Sequence, residues 1–146
     1  MLAESGGPSE ERLAIIVKSD SYEDLLLAFS FAGIAASSEI RTTLFFTNRA
    51  ARRLKVGGFD DVAEAAAGDE VGRAFISGAE ALGFRDLQGM LRQIKETGLV
   101  HVFLCSRSAR IWDIDADSMA PEADGVMGTA TFLLEEAGRA QTVLTI

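Results

Sequence analysis

The sequence predicts an α/β domain of three layers, with helices on both faces of a mainly parallel sheet. Two patterns support this. Short apolar runs at residues 13–17, 42–47, 99–105 and 142–146 alternate along the chain with segments of helical periodicity. That alternation favours parallel strands joined by crossover helices. The first run, Leu13, Ala14, Ile15, Ile16 and Val17, is apolar at every position, as a strand covered on both faces requires. At 146 residues the chain has the length of one domain, which we assign to residues 12–146. Residues 1–11 hold Gly, Pro, Ser and Glu without an apolar core and read as a disordered tail.

The first strand ends in Lys18, Ser19, Asp20 and Ser21, and Ser21 with Asp24 three positions on gives the signature of a capping box. The helix that follows, over 22–38, carries Leu25, Leu26, Phe29 and Ile34 among many small residues and few polar ones. Much of its circumference should therefore be buried. Residues 42–47 are rich in strand formers, and Asn48 stands where it could N-cap a helix. From about residue 57 to 85 the chain is alanine-rich and reads as a helical insertion, with helices over 61–67 and 70–82 and Gly83 as terminator. Asp86 caps a helix in which Leu87, Met90, Leu91 and Ile94 keep the i, i+3, i+4, i+7 spacing, and Gly98 stops it. The central strand over 99–105 comes next, then a polar, basic turn and a short helix from near Ala109. Residues 113–124 are acidic and irregular. Gly125 to Gly128 lead into a helix through Phe132, Leu133 and Leu134 that stops at Gly138, and 142–146 form the last strand.

Composition removes several classes of function. The formal net charge is -8, with 48% hydrophobic and 25% charged residues, a poor match to phosphate backbones, so no nucleic-acid partner is expected. The local cluster Arg49, Arg52, Arg53 and Lys55 reads as a solvated helix face. No segment approaches the roughly 18 apolar residues of a membrane span. The single cysteine, Cys105, excludes an internal disulfide and suits a reducing, cytoplasmic setting. Neither a GxGxxG nor a GxxxxGK loop is present, which disfavours a nucleotide-dependent enzyme.

Cys105 is the residue most suited to chemistry. It ends the central strand, and Ser106, Arg107, Ser108 and Arg110 follow. One reading is a small apolar filler, since free cysteine is among the most buried residue types. The other is an accessible, reactive thiol: a helix start and nearby guanidinium groups both stabilise thiolate. In open α/β sheets ligands bind beyond the carboxyl ends of strands. Ser19 and Asp20 after the first strand and Asn48 after the second would reach that same edge and shape a polar pocket, although each also suits a helix cap. Gly125 and Gly128 could bring backbone N–H groups there as an anion nest. His101 lies four residues upstream on the same strand, roughly 13 Å away at strand rise, too far to act as a base. One Cys and one His so placed cannot share a tetrahedral ion, so neither metal nor cofactor is expected.

The stretch from Ile15 to Asp24, with Ala28 and Phe29 after it, resembles the start of the DsrE/DsrF-like sulfur-relay family. Leu44 to Thr47 is similar to the family's second strand, Gly98 to Ser106 to its cysteine-bearing strand, and Asp124 to Leu133 to its last helix. The resemblance implies a Rossmann-like parallel sheet, oligomers, and a cysteine that carries sulfur as a persulfide. By that match the role falls on Cys105 alone; Ser19, Asp20, Asn48, Ser106, Arg107, Gly125 and Gly128 are the site-shaping residues that position along the chain suggests. Some members have a second cysteine that this sequence lacks. The expected function is a small soluble sulfur carrier or sulfurtransferase-like protein, a homo-oligomer whose partners are sulfur donor and acceptor proteins or small persulfides. Two other readings stay open: a non-catalytic oligomerisation or binding module with an inert cysteine, and a small-molecule sensor using the same strand-end pocket.

Overall fold

The computed structural model describes residues 10–146, so most of the expected N-terminal tail lies outside the described residues. Five strands form one sheet in the order β4-β3-β2-β1-β5: β1 Arg12–Val17, β2 Arg41–Phe46, β3 Val100–Cys105, β4 Gly125–Met127 and β5 Thr142–Thr145. Every neighbouring pair is parallel. The sheet is thus wholly parallel, and its two edges are the shortest strands.

Register divides the side chains between two unequal faces. Ile15 and Val17 of β1 pair with Leu44 and Phe46 of β2, and these with Val102 and Leu104 of β3. All six are buried in the main core, where each large side chain is worth about 2 kcal/mol of transfer free energy. The helices α1 Tyr22–Ser37, α2 Val62–Ala66, α3 Glu70–Ala81 and α4 Leu87–Lys95 make up that layer. The opposite face carries Ala14, Phe45, Phe103 and Cys105. It is covered by one irregular segment, α6, which runs as α-helix over Thr129–Thr131, π-helix over Phe132–Glu136 and 3-10 helix over Ala137–Arg139. A short helix, α5 Ser106–Ile111, follows β3 directly.

Local signals explain most boundaries. The Ser21 hydroxyl accepts from the Asp24 N–H, and the carboxylates of Asp69 and Asp86 do the same for Gly72 and Gly89 at the starts of α3 and α4. Gly83 (φ +87°) and Gly98 (φ +78°) take the left-handed turns that end helices. Within the 57–85 region, Phe59, Val62, Ala63, Ile76 and Ala79 join the main core. This region therefore packs on the face away from Cys105.

Four local expectations are corrected. Arg53 does not lie on a solvated face: it is 1% exposed, and its guanidinium donates to the carbonyls of Asp20 (3.1 Å) and Gly58 (2.9 Å) and to Asp61 Oδ1 (2.5 Å). Asn48 is not an N-cap. It opens the 3-10 segment Asn48–Leu54 in the left-handed region (φ 52°), with Thr47 before it as the capping position. Gly125 and Gly128 are divided between two elements, Gly125 pairing with Phe103 in β4 and Gly128 serving as the N-cap of α6. The outer side of α1 also stays open, with Leu27, Phe31 and Ile34 exposed.

Candidate functional site

β3 delivers Cys105 to the carboxyl edge of the sheet, and α5 begins at the very next residue. The basic turn expected before Ala109 does not exist. Cys105 is itself the helix N-cap (φ -59°, ψ 127°), without a conventional side-chain cap hydrogen bond. The first-turn N–H groups of Ser108 and Arg107, without intrahelical partners, favour the thiolate. Two hydroxyls complete the surroundings. Ser108 Oγ accepts from the Asn48 N–H at 2.8 Å and lies 3.3 Å from Thr47 Oγ1. Because Ser108 Oγ already accepts that proton, its own O–H is free to donate to sulfur or to Thr47.

Burial pushes the Cys105 thiol up, but the Ser108 N–H, the Thr47 and Ser108 hydroxyls and the Arg107 N–H outweigh it and bring the thiol down to about 7. A thiolate is therefore abundant at neutral pH, where an ordinary cysteine is mostly protonated. Alkylation of Cys105 should accordingly rise as pH increases through about 7 and level off above it. In Ser108→Ala that rise should move about one unit higher and the neutral-pH rate fall several-fold; an unmoved profile would show that the hydroxyl does not hold the thiolate. By the same sign, the thiol's contribution to stability is present above its unfolded pKa and is lost as pH falls through about 7.

The sulfur is not at the surface. Cys105 is 0% exposed, which corrects the expectation of an accessible thiol. Phe45 and Phe132 pack with it in one cluster, their rings stacked 4.3 Å apart at 8°. Thr129 Oγ1 stands 3.9 Å from Sγ. Between α6 and the sheet, beside these covering groups, lies a cavity of about 460 Å³. Ile16, Phe45, Phe132, Leu133, Ala137 and Val143 give it apolar walls, and Thr47, Asn48, Arg107 and Thr129 supply its polar positions. The thiol thus sits behind the cavity wall, one side chain from the opening.

A sequence profile of the DsrE/DsrF-like family matches residues 11–146. The chain belongs to the DsrE/DsrF-like family. No curated protein matches it. Among solved structures it is similar to the protein of unknown function MTH1491 from Methanobacterium thermoautotrophicum, with a TM-score of 0.63 at 12% identity, over 92% of this chain and 99% of that one. At that identity the likeness speaks for the fold alone.

In this DsrE/DsrF-like protein the sequence-predicted site residues are only partly brought together. Asn48 and Arg107 line the cavity beside Cys105. Asp20 is held by Arg52 Nε at 2.7 Å, and Ser19 Oγ bonds to Ser21; neither lines the cavity. Ser106 opens on a shallower depression with Arg107, Arg110 and Ile111. Gly125 sits in β4, and Gly128 is the N-cap of α6. His101 pairs with Thr43 in mid-sheet, and burial lowers its pKa. Sequence reading missed Thr47, Ser108, Thr129 and Phe132. A signal for the first two existed: Thr47 follows Phe46, the register partner of Leu104, and so stands opposite Cys105. Ser108 is the third residue of a helix that starts at once after Cys105. Among the described residues no group of His, Cys, Asp and Glu gathers as a metal site, and no helix is long and apolar enough to cross a membrane.

Proposed function

We propose that this protein is a small sulfur carrier in which Cys105 holds sulfane sulfur as a persulfide. One observation carries the reading: Cys105 ends β3 as the N-cap of α5, beside a cavity lined by Thr47, Asn48, Arg107 and Thr129, a placement in which its thiol is brought down to about 7. A filler cysteine needs no such placement. In the reaction, the Cys105 thiolate attacks the terminal sulfur of a donor R–S–SH. The new Cys105 S–S bond forms, the donor S–S bond breaks, and R–S⁻ leaves, with the proton retained on the transferred sulfur. An acceptor thiolate then repeats the step on the persulfide. Both need α6 to lift, since Phe132 and Thr129 cover the sulfur. The partners are sulfur donors and acceptors, and the lone thiol suits a reducing cytoplasm. Leu134, 69% exposed, supports self-association through the outer side of α6.

Incubation with polysulfide or thiosulfate and measurement of the intact mass tests the proposal. A sulfur-sized increment is expected on the native chain, lost on reduction and absent from Cys105→Ser. No increment, under conditions that load a known carrier, would sink it. The complete burial of Cys105 favours a second reading, a binding module with an inert thiol. In that case alkylation of the folded protein at neutral pH should be as slow as its global unfolding.

A further inference from the structure

We infer that the cavity beside Cys105 takes an organic sulfane-sulfur anion with an apolar body, of the thiosulfonate class, as the sulfur donor; this rests on the sulfur-carrier reading above. A volume of about 460 Å³ falls in the range of small-molecule sites. Its walls are hydrocarbon and aromatic on the sheet side (Ile16, Phe45, Val143) and on the α6 side (Phe132, Leu133, Ala137). Such a lining gains by exchanging water for an apolar group and offers little to a polar peptide-like thiol. The single charged residue in the lining is Arg107. Among the described residues no hydrogen bond or ion pair engages its guanidinium; Arg49, Arg110 and Arg139 are also unpaired, but none of them lines this cavity. A free guanidinium is a fitted receptor for a sulfonyl or carboxylate head.

Arg107 is also two residues from Cys105, so an anion held there places its head close to the sulfur. In a thiosulfonate, R–SO₂–S⁻, the anionic head and the transferable sulfur are one group. Once Phe132 and Thr129 have moved off the sulfur, the Cys105 thiolate attacks the sulfane sulfur and forms Cys105–S–S⁻. The bond from sulfane to sulfonyl sulfur breaks, and its electron pair leaves on the sulfinate R–SO₂⁻. Charge and protons balance, and no outside oxidant or reductant is needed. The weakly basic sulfinate is a good leaving group and stays paired with Arg107.

Benzenethiosulfonate serves as the donor probe, and benzenesulfinate as the unreactive ligand. Benzenesulfinate should bind saturably to Cys105→Ser, as read by calorimetry, and at least tenfold more weakly when Leu133→Glu or Arg107→Gln is added. Leu133 is largely exposed, so the glutamate sets a charge at the mouth without disturbing the fold. In the Cys105-containing protein, Leu133→Glu should lower the rate of loading by benzenethiosulfonate relative to thiosulfate at least tenfold. If thiosulfate loads Cys105 while benzenesulfinate does not bind and the ratio is unchanged, the donor class is overturned and the carrier reading stands. If the sulfinate binds but no donor loads Cys105, both are overturned.

Discussion

Phe132→Ala should raise the alkylation rate of Cys105 about a hundredfold while the protein stays folded. The sulfur is sealed, so a reagent reaches it only through a local opening in which α6 leaves the sheet. Two contacts hold that segment down over the site: the Phe45–Phe132 stack and the hydrogen bond from Thr43 Oγ1 to Glu136 Oε1 at 2.6 Å. Loss of a buried phenylalanine side chain costs about 3–5 kcal/mol. About 3 kcal/mol of this in the opening equilibrium corresponds to roughly two powers of ten in labelling. Thr43→Val, which deletes about 1 kcal/mol of hydrogen bond, should accelerate labelling severalfold. Leu91→Ala is the control, a truncation buried in the opposite layer. It should destabilise the whole fold and leave the labelling rate under native conditions nearly unchanged. Equal acceleration by Phe132→Ala and Leu91→Ala, with circular dichroism intact, would show that the thiol is reached by global rather than local opening.

Arg53→Met should lower stability by about 3 kcal/mol, the range expected when buried hydrogen bonds lose their donor. Arg53 fills the space between the end of β1 and the 57–61 turn, and three oxygens converge on its guanidinium. Methionine replaces part of the volume but leaves the Asp20 and Gly58 carbonyls unpaired. In a chain of this size the loss corresponds to about 10 °C in the unfolding midpoint, readable by calorimetry. Asp61→Asn should cost far less, since Asp61 is largely exposed and its asparagine amide oxygen can still accept from Arg53. The Arg53 guanidinium holds the Asp61 carboxyl below its ordinary value. The benefit of that pair is present above the normal carboxylate range and fades as pH falls through the folded value. An Arg53→Met protein with an unchanged midpoint would mean that solvent replaces the guanidinium at these carbonyls.

The parts legible in the sequence were those set by local pattern. β1, β2 and β3 are apolar runs long enough to stand out, and the caps at Ser21 and Asp86 use side chains within three residues of the N–H groups they accept. Features settled by distant neighbours were not legible. β4 has three residues in a glycine-containing stretch, and it is a strand because Asp124 anchors it: its N–H bonds the Val102 carbonyl, and its carboxylate takes the Val102 N–H and Lys95. Arg53 looked solvated because its acceptors come from Asp20, Gly58 and Asp61, none of which belongs to its own segment. Cys105 looked open because the groups that hide it, Thr129 and Phe132, arrive from beyond an acidic loop with no pattern of its own.

The pairing of β5 with β1 has a consequence for biosynthesis. Arg12 and Gln141, which meet where this pairing begins, are 129 positions apart, and the ladder finishes with bonds between Ile146 and both Ile16 and Lys18. During translation β1 must wait, one flank bare, until residues 142–146 have emerged from the ribosome. Val143 joins Ile16 on the sheet-side wall of the cavity only then. Nascent chains should therefore gain the main helical layer first and the thiol's compartment last.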